Sequence, residues 1–304
     1  MRVERDSDRW FAPAVGGLLV VGGTVVGALL LGALLGSAAE GAAAGGLAGG
    51  IGAVALWRRL GGRSARRRAV LATPFPARWR EYLLDNYDHY ERLPPDLRRR
   101  FEDDLRIFLA ETRITGIEAR VTDELRLLVA ASAVTLSVGW PDYEWDQLAE
   151  VLLYPQDFDR DYSFDNAELA GQAHPWGTVI LSIPALEESY ADPDDAYHVG
   201  LHEFAHLLEV HQTHFGGIPP GLPAPRREEW VALMEKEMER MRRGKSVIDD
   251  YGSDSPAEFL AVAVEAFFES ALALRQRHRQ VYEILAEYFR QDPAAWDDAR
   301  GLRL

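Results

Sequence analysis

The chain has no cysteine in 304 residues. That excludes disulfide bonds, thiolate metal ligands and a cysteine nucleophile, so any metal must be held by histidine and carboxylate. Positive charge is also scarce. The formal net charge is −15, and it is unevenly spread: residues 1–73 hold nine Arg against four acidic residues, a balance of +5 that leaves −20 for the rest. Acidity on that scale argues against nucleic acid as a partner, because phosphate binding requires a basic surface. Internal repeats, a Gly-rich phosphate loop after a strand and a low-complexity tail are all missing. With 47% hydrophobic residues, the chain can bury a full core in one large domain with an appendage.

The appendage is N-terminal. Residues 12–36 run for 25 positions without a charge, long enough to cross a hydrocarbon core with some tilt. Residues 41–57 are a second uncharged stretch of 17, rich in Gly and Ala and weaker as a span. Gly23 and Gly27, Gly45 and Gly49, and Gly46 and Gly50 give small-x-x-x-small spacings that let helices approach closely. The expectation is a transmembrane helical hairpin (spans 12–36 and 41–57) that contacts the lipid bilayer. Arg58, Arg59, Arg63, Arg66, Arg67 and Arg68 follow it, and the expectation from that basic cluster is a protein at the cell (inner) membrane with the domain after the cluster cytoplasmic. A single span is one alternative. A cleaved leader is another, since Ser37 and Ala39 resemble a peptidase site, although the segment has no clear basic start. The TPFP run at residues 73–76 marks a boundary, giving an N-terminal membrane segment, 1–73, and a second domain, 74–304.

Within 74–304, residues 78–92 and 95–113 read as helices, the second from Leu97, Phe101, Leu105, Phe108 and Leu109 at helical spacing. Residues 116–121 read as a short strand. Residues 122–138 read as an apolar helix capped by Thr122 or Asp123, and 149–154 as a strand ended by Pro155. Residues 178–183, TVILSI, form a β-branched run that is either an ordinary sheet strand or one bordering a cleft, where free backbone groups pair with an extended peptide. Residues 216–225 are a Pro/Gly loop, placed by its position at the substrate mouth.

The chemistry lies between residues 199 and 210, VGLHEFAHLLEV. His202, Glu203 and His206 form H-E-x-x-H, and residues four apart on a helix share one face, so both imidazoles reach one metal ion with Glu203 beside them. This is the spacing of a zinc site with its base attached. The surrounding side chains are apolar, and a buried Glu and two His need something that satisfies them. His198 lies two turns from His206, roughly 12 Å along the axis, too far for both to bind one tetrahedral ion. His211 and His214 fall where the helix ends. A third ligand is required, and Glu258, Glu265 and Glu269 lie on one apolar helix. Ser255, Pro256 and Glu258 make a helix start, so Glu258 is also a capping carboxylate. Glu265, seven residues on, shares its face, and pattern alone does not choose between them.

The segments LPPDLRRRF, VTDELRLLVAA, VLLYPQDF, GTVILS, HEFAHLLE and YGSDSPAEFLAVAVEAFFE together resemble the Mlc titration factor A family of zinc metallopeptidases, whose catalytic part is similar to that of anthrax lethal factor. The likeness covers roughly residues 75–296. It implies an α+β, mostly helical zincin-like (gluzincin) domain with a small sheet, here preceded by the hairpin. It implies that Zn²⁺ is bound by His202, His206 and the Glu of a Y-x6-E pattern, Glu258. Glu203 is then the general base, Tyr251 supports the transition state, and Glu265 orients a ligating imidazole. The implied substrate is a peptide or protein, with aminopeptidase-like activity on short peptides. The family also resembles sequestering partners of a sugar-responsive transcriptional repressor, so a membrane-tethered regulator with little peptidase activity is the rival reading. Two features depart from the family: the added hairpin, and Glu209 where Asp is usual.

Overall fold

The computed structural model describes residues 17–18, 20–22, 24–26, 29–30, 33, 36–164, 167–193, 195–209, 216–244, 246 and 248–301. The chain divides into two units, Arg2–Pro74 and Phe75–Leu304.

The first unit corrects the expected hairpin. Most of the proposed first span, 12–36, lies outside the described residues. The second span does not stand alone: it is part of a single helix, α1 (Ala38–Leu71), whose N-cap Ser37 accepts from the Glu40 N–H. Six Gly and six Ala fill residues 41–57, so the uncharged stretch has little apolar surface, and the helix then continues through six arginines. Among the described residues no helix is long and apolar enough to cross a membrane.

The second unit begins with α2 (Ala77–Asn86), α3 (Asp88–Arg92) and α4 (Pro95–Glu111). The expected helix over 78–92 is interrupted at Tyr87, whose extended backbone (φ −141°) both ends α2 and starts α3. Strand β1 (Ile114–Gly116) comes earlier than the 116–121 expected and is followed by α5 (Asp123–Ser137), where Thr122 accepts from the Leu125 N–H at 3.2 Å. Strands β2 (Glu150–Tyr154), β3 (Gly171–Ala173) and β4 (Thr178–Ser182) complete one sheet in the order β1-β2-β4-β3. The first three strands of that order are parallel, and β3 is antiparallel at the edge. All five residues of β4 are buried, as an interior strand covered on both faces requires. TVILSI is therefore an ordinary sheet strand, and the cleft is bordered by β3.

Helix α6 (Ile183–Ala191) leads to α7 (Val199–Leu208), which carries H-E-x-x-H. After α8 (Ala224–Met241) a 3-10 turn (Asp250–Ser253) brings the chain into α9 (Pro256–Glu269), and α10 (Ala271–Arg277), α11 (Arg279–Phe289) and α12 (Pro293–Ala299) close the unit. Helix α7 sits at the centre, against α5, α6, α9 and β3. Its Phe204 is fully buried and meets Phe108 and Trp145 edge-on, with centroids 6.1 and 5.2 Å away. Burying aromatic side chains of this size fixes the helix rigidly beneath the sheet.

Candidate metal centre

Two helices and one turn build the site. Helix α7 presents His202 and His206 one turn apart, with Nε2 atoms 3.1 Å from each other. Helix α9 crosses them, and its first-turn Glu258 puts Oε2 3.0 Å from Nε2 of His202 and 3.4 Å from Nε2 of His206. Ser255 caps α9 by accepting from the Glu258 N–H at 3.2 Å. That bond uses the backbone of Glu258 and leaves its carboxylate for the histidines, so capping and ligation are compatible. Glu265, two turns further along α9, places Oε2 3.1 Å from Nδ1 of His202, while its Oε1 accepts from the His198 N–H at 2.7 Å. The two carboxylates that the pattern left equivalent thus bracket one imidazole, Glu258 at Nε2 and Glu265 at Nδ1.

This bracket decides the chemistry of the ring. With Nδ1–H donating to Glu265, Nε2 of neutral His202 carries a lone pair, and it faces a carboxylate oxygen and a second imidazole. Lone pairs converging in this way need a cation or a proton between them. Burial opposes charging His202, yet Glu265 and Glu258 outweigh it and draw its pKa well up. Burial likewise works against ionised Glu258, but its bonds with His202 and His206 hold it down at about 2. The ligating atoms of His202, His206 and Glu258 all lie within 4.8 Å of one another. Two imidazoles and a carboxylate aimed at one point are a donor set that fits a divalent metal ion.

Glu203 lies on the wall of the cleft. Its side chain presses against Gly171 of β3, where an added Cβ would stand 2.6 Å from Oε1. Burial pushes its carboxyl above the ordinary 4.5. Tyr251, on the 3-10 turn, is half exposed, with its ring 6.0 Å from that of His202. Glu203, Tyr251, His202 and Gly171 line one continuous cleft. One lobe, beyond Glu265, has an apolar wall of Leu169, Ala196, Val199 and Val262. The other, beyond His206 and Glu258, is lined by Arg160, Gln172, Ala173 and Ser255.

The remaining sequence candidates fall elsewhere. His198 caps α7, its Nδ1 accepting from the Leu201 N–H at 3.2 Å. Glu269 is buried on α9 away from the ligands, and His211 and His214 lie outside the described residues. No residue of the 216–225 loop lines the cleft, and Pro220 to Pro223 line a separate groove with Trp140 and Tyr288. Residue reading missed β3. Ladder bonds from the Ser182 N–H to Ala170 O and from the His174 N–H to Thr178 O, both 2.8 Å, mean that residues 170, 172 and 174 face β4. Gly171 and Ala173 therefore turn their N–H and C=O groups to the open edge. Three residues are too few for an alternating pattern to show, although the turn sequence HPWG before TVILS was a usable hairpin signal.

The chain is similar to several known proteins. An uncharacterized protein of Synechocystis sp. is 28% identical over 244 residues, covering 75% of this chain and 89% of that one. Mlc titration factor A of Edwardsiella ictaluri is 29% identical over 68% of this chain and 82% of its own, and that of Pectobacterium atrosepticum 24% identical over 62% and 73%. The model of the glucose-regulated metallo-peptidase M90 family matches residues 62–290. By that match, which spans most of the sequence, the chain belongs to the M90 family of metallo-peptidases.

Proposed function

We propose that the protein is a zinc-dependent hydrolase of peptide bonds, with His202, His206 and Glu258 as the ligands. The observation that carries this reading is the convergence of those three side chains beside a buried carboxylate, Glu203, in a cleft bordered by an open strand edge. When bound, zinc supplies a Lewis acid and lowers the pKa of water toward neutrality. Glu203 takes a proton from the attacking water and delivers it to the leaving amine, a task its raised pKa suits. Tyr251 donates its hydroxyl to the oxyanion, a type of interaction worth about 10² to 10³ in rate. Glu265 holds His202 in the tautomer that presents Nε2 to the metal. Gly171 and Ala173 offer the backbone groups that align an extended peptide, and aminopeptidase-like action on short peptides is the expected form of the activity.

The test compares the wild type with Glu203→Gln and Glu258→Ala. About one zinc per chain, retained in an inactive Glu203→Gln protein and lost in Glu258→Ala, is the expected result; turnover by Glu203→Gln removes the mechanism. The name Mlc titration factor A, borne by two relatives, favours a second reading in which the chain binds a regulatory protein. Capture of such a regulator that is indifferent to Glu203→Gln, from a wild type without peptidase activity, would select that reading.

A further inference from the structure

At the far end of β3 two large aromatic side chains stand in water. Trp176 is 69% exposed and Tyr162 41%. Trp176 belongs to the turn from His174 to Gly177, closed by the Gly177 N–H donating to His174 O at 2.9 Å. Its indole lies flat on the His174 imidazole, with centroids 4.3 Å apart and planes 9° from parallel. His174 is buried, which lowers its pKa and keeps the ring neutral near pH 7, and the Tyr162 hydroxyl lies 3.2 Å from its Nε2. Tyr162 reaches that position from a left-handed backbone, φ 62°, which a bulky side chain rarely adopts. Asp159 holds the turn by accepting from the Asp161 and Ser163 N–H groups, both at 2.9 Å. An exposed indole on a ring fixed this firmly is a rigid flat surface, of the kind that stacks aromatic side chains at little entropic cost.

The position of this surface points to its occupant. His174 follows directly on Ala173, the last residue of the open edge, and Gln172 and Ala173 line the cleft beside His206 and Glu258. A chain paired with Gly171 and Ala173 and continued in the same direction runs on toward the His174–Gly177 turn that carries Trp176. We propose that Trp176 is a specificity-determining residue of an outer substrate subsite, which accepts an aromatic side chain roughly two to three residues from the cleaved bond, at about 3.3 Å per residue. The assignment rests on the peptidase reading above.

The test uses the full chain as wild type, Trp176→Ala and Trp176→Phe, with three kinds of substrate. One is a single-residue arylamide. The others are fluorogenic hexapeptides with Phe or Ser two and three positions from the cleaved bond, on either side. The wild type is expected to prefer Phe over Ser on one side only, by about fivefold in kcat/KM and through KM. Trp176→Ala loses that preference and Trp176→Phe keeps it, while all three proteins hydrolyse the arylamide alike. An unchanged preference in Trp176→Ala overturns the proposal, and so does an equal loss of arylamide hydrolysis. If the wild type cleaves nothing, the peptidase reading fails separately. The subsite is then judged by fluorescence anisotropy of the same hexapeptides on Glu203→Gln: tighter binding of the Phe peptides, abolished by Trp176→Ala, sustains it, and equal binding overturns it.

Discussion

At the scale of single residues, Glu265 and Glu209 show how position sets the job of a carboxylate. Glu265 is buried and bonds both the His198 N–H and Nδ1 of His202. Replacing it with Gln is expected to weaken zinc binding about 10- to 100-fold, checked by titration against a competing chelator. Glu209 is fully buried just past α7, with Oε1 accepting from the Ile218 N–H at 3.2 Å. Burial raises its pKa from 4.5 to about 7. Its folded-state pKa thus lies above the unfolded value, so its contribution to stability is complete below pH 4.5 and is lost as pH rises through about 7. The loss amounts to about 3 kcal/mol at 1.36 kcal/mol per unit. Urea titrations from pH 4.5 to 8 are expected to show that slope in the wild type and a flatter one in Glu209→Gln.

At the scale of elements, the site depends on how α7 and α9 are held. Phe204 carries much of the fixation of α7, so Phe204→Ala is expected to cost about 3–5 kcal/mol, read from the denaturation midpoint. Start and end of the ligand elements are also coupled through the backbone. Gly217, at φ +65°, lies so close to the first turn of α9 that an added Cβ would stand 1.8 Å from Pro256 O. Gly217→Ala is therefore expected to displace the turn that bears Glu258 and to lower zinc stoichiometry, whereas Gly221→Ala, where a Cβ meets nothing within 4 Å, should retain zinc. Equal zinc content in the two variants would separate this loop from the site.

At the scale of the whole molecule, metal binding and proton binding both act on stability. The proposed ligands come from two helices far apart in sequence, so an ion that joins them would favour the folded chain over the unfolded one. At a free zinc concentration 100 times Kd the gain is about 2.7 kcal/mol, and a chelator is expected to lower the melting temperature of the wild type but not of Glu258→Ala. The acid limb has a different origin. Burial lowers the pKa of both His89 and His198 to about 3. Their folded-state values lie below the unfolded 6.5, so the stability they contribute is present above pH 6.5 and is lost as pH falls toward 3. His89 is packed against Phe268 and Trp296, and His89→Phe is expected to soften the loss below pH 6.5 in the same titration.

What the sequence determined by itself is what short-range geometry controls. Four-residue spacing puts His202 and His206 on one helix face, Thr122 and Ser255 cap the helices they precede, and Pro95 starts α4, because each depends only on neighbours within a turn. Uncharged length, by contrast, misled the reading of residues 41–57: apolar surface rather than the absence of charge allows a helix to cross a membrane, and Gly and Ala have little of it. Tertiary structure alone decided the rest. Glu258 and Glu265 share a face of α9, and their separate tasks follow from where α9 crosses α7, a distance no local pattern encodes. The strand that borders the cleft is the three-residue β3 and not the β-branched β4, since edge position is set by pairing across the sheet. Long-range packing chooses among equivalent local candidates, and the His202, His206 and Glu258 cluster is assembled by that choice.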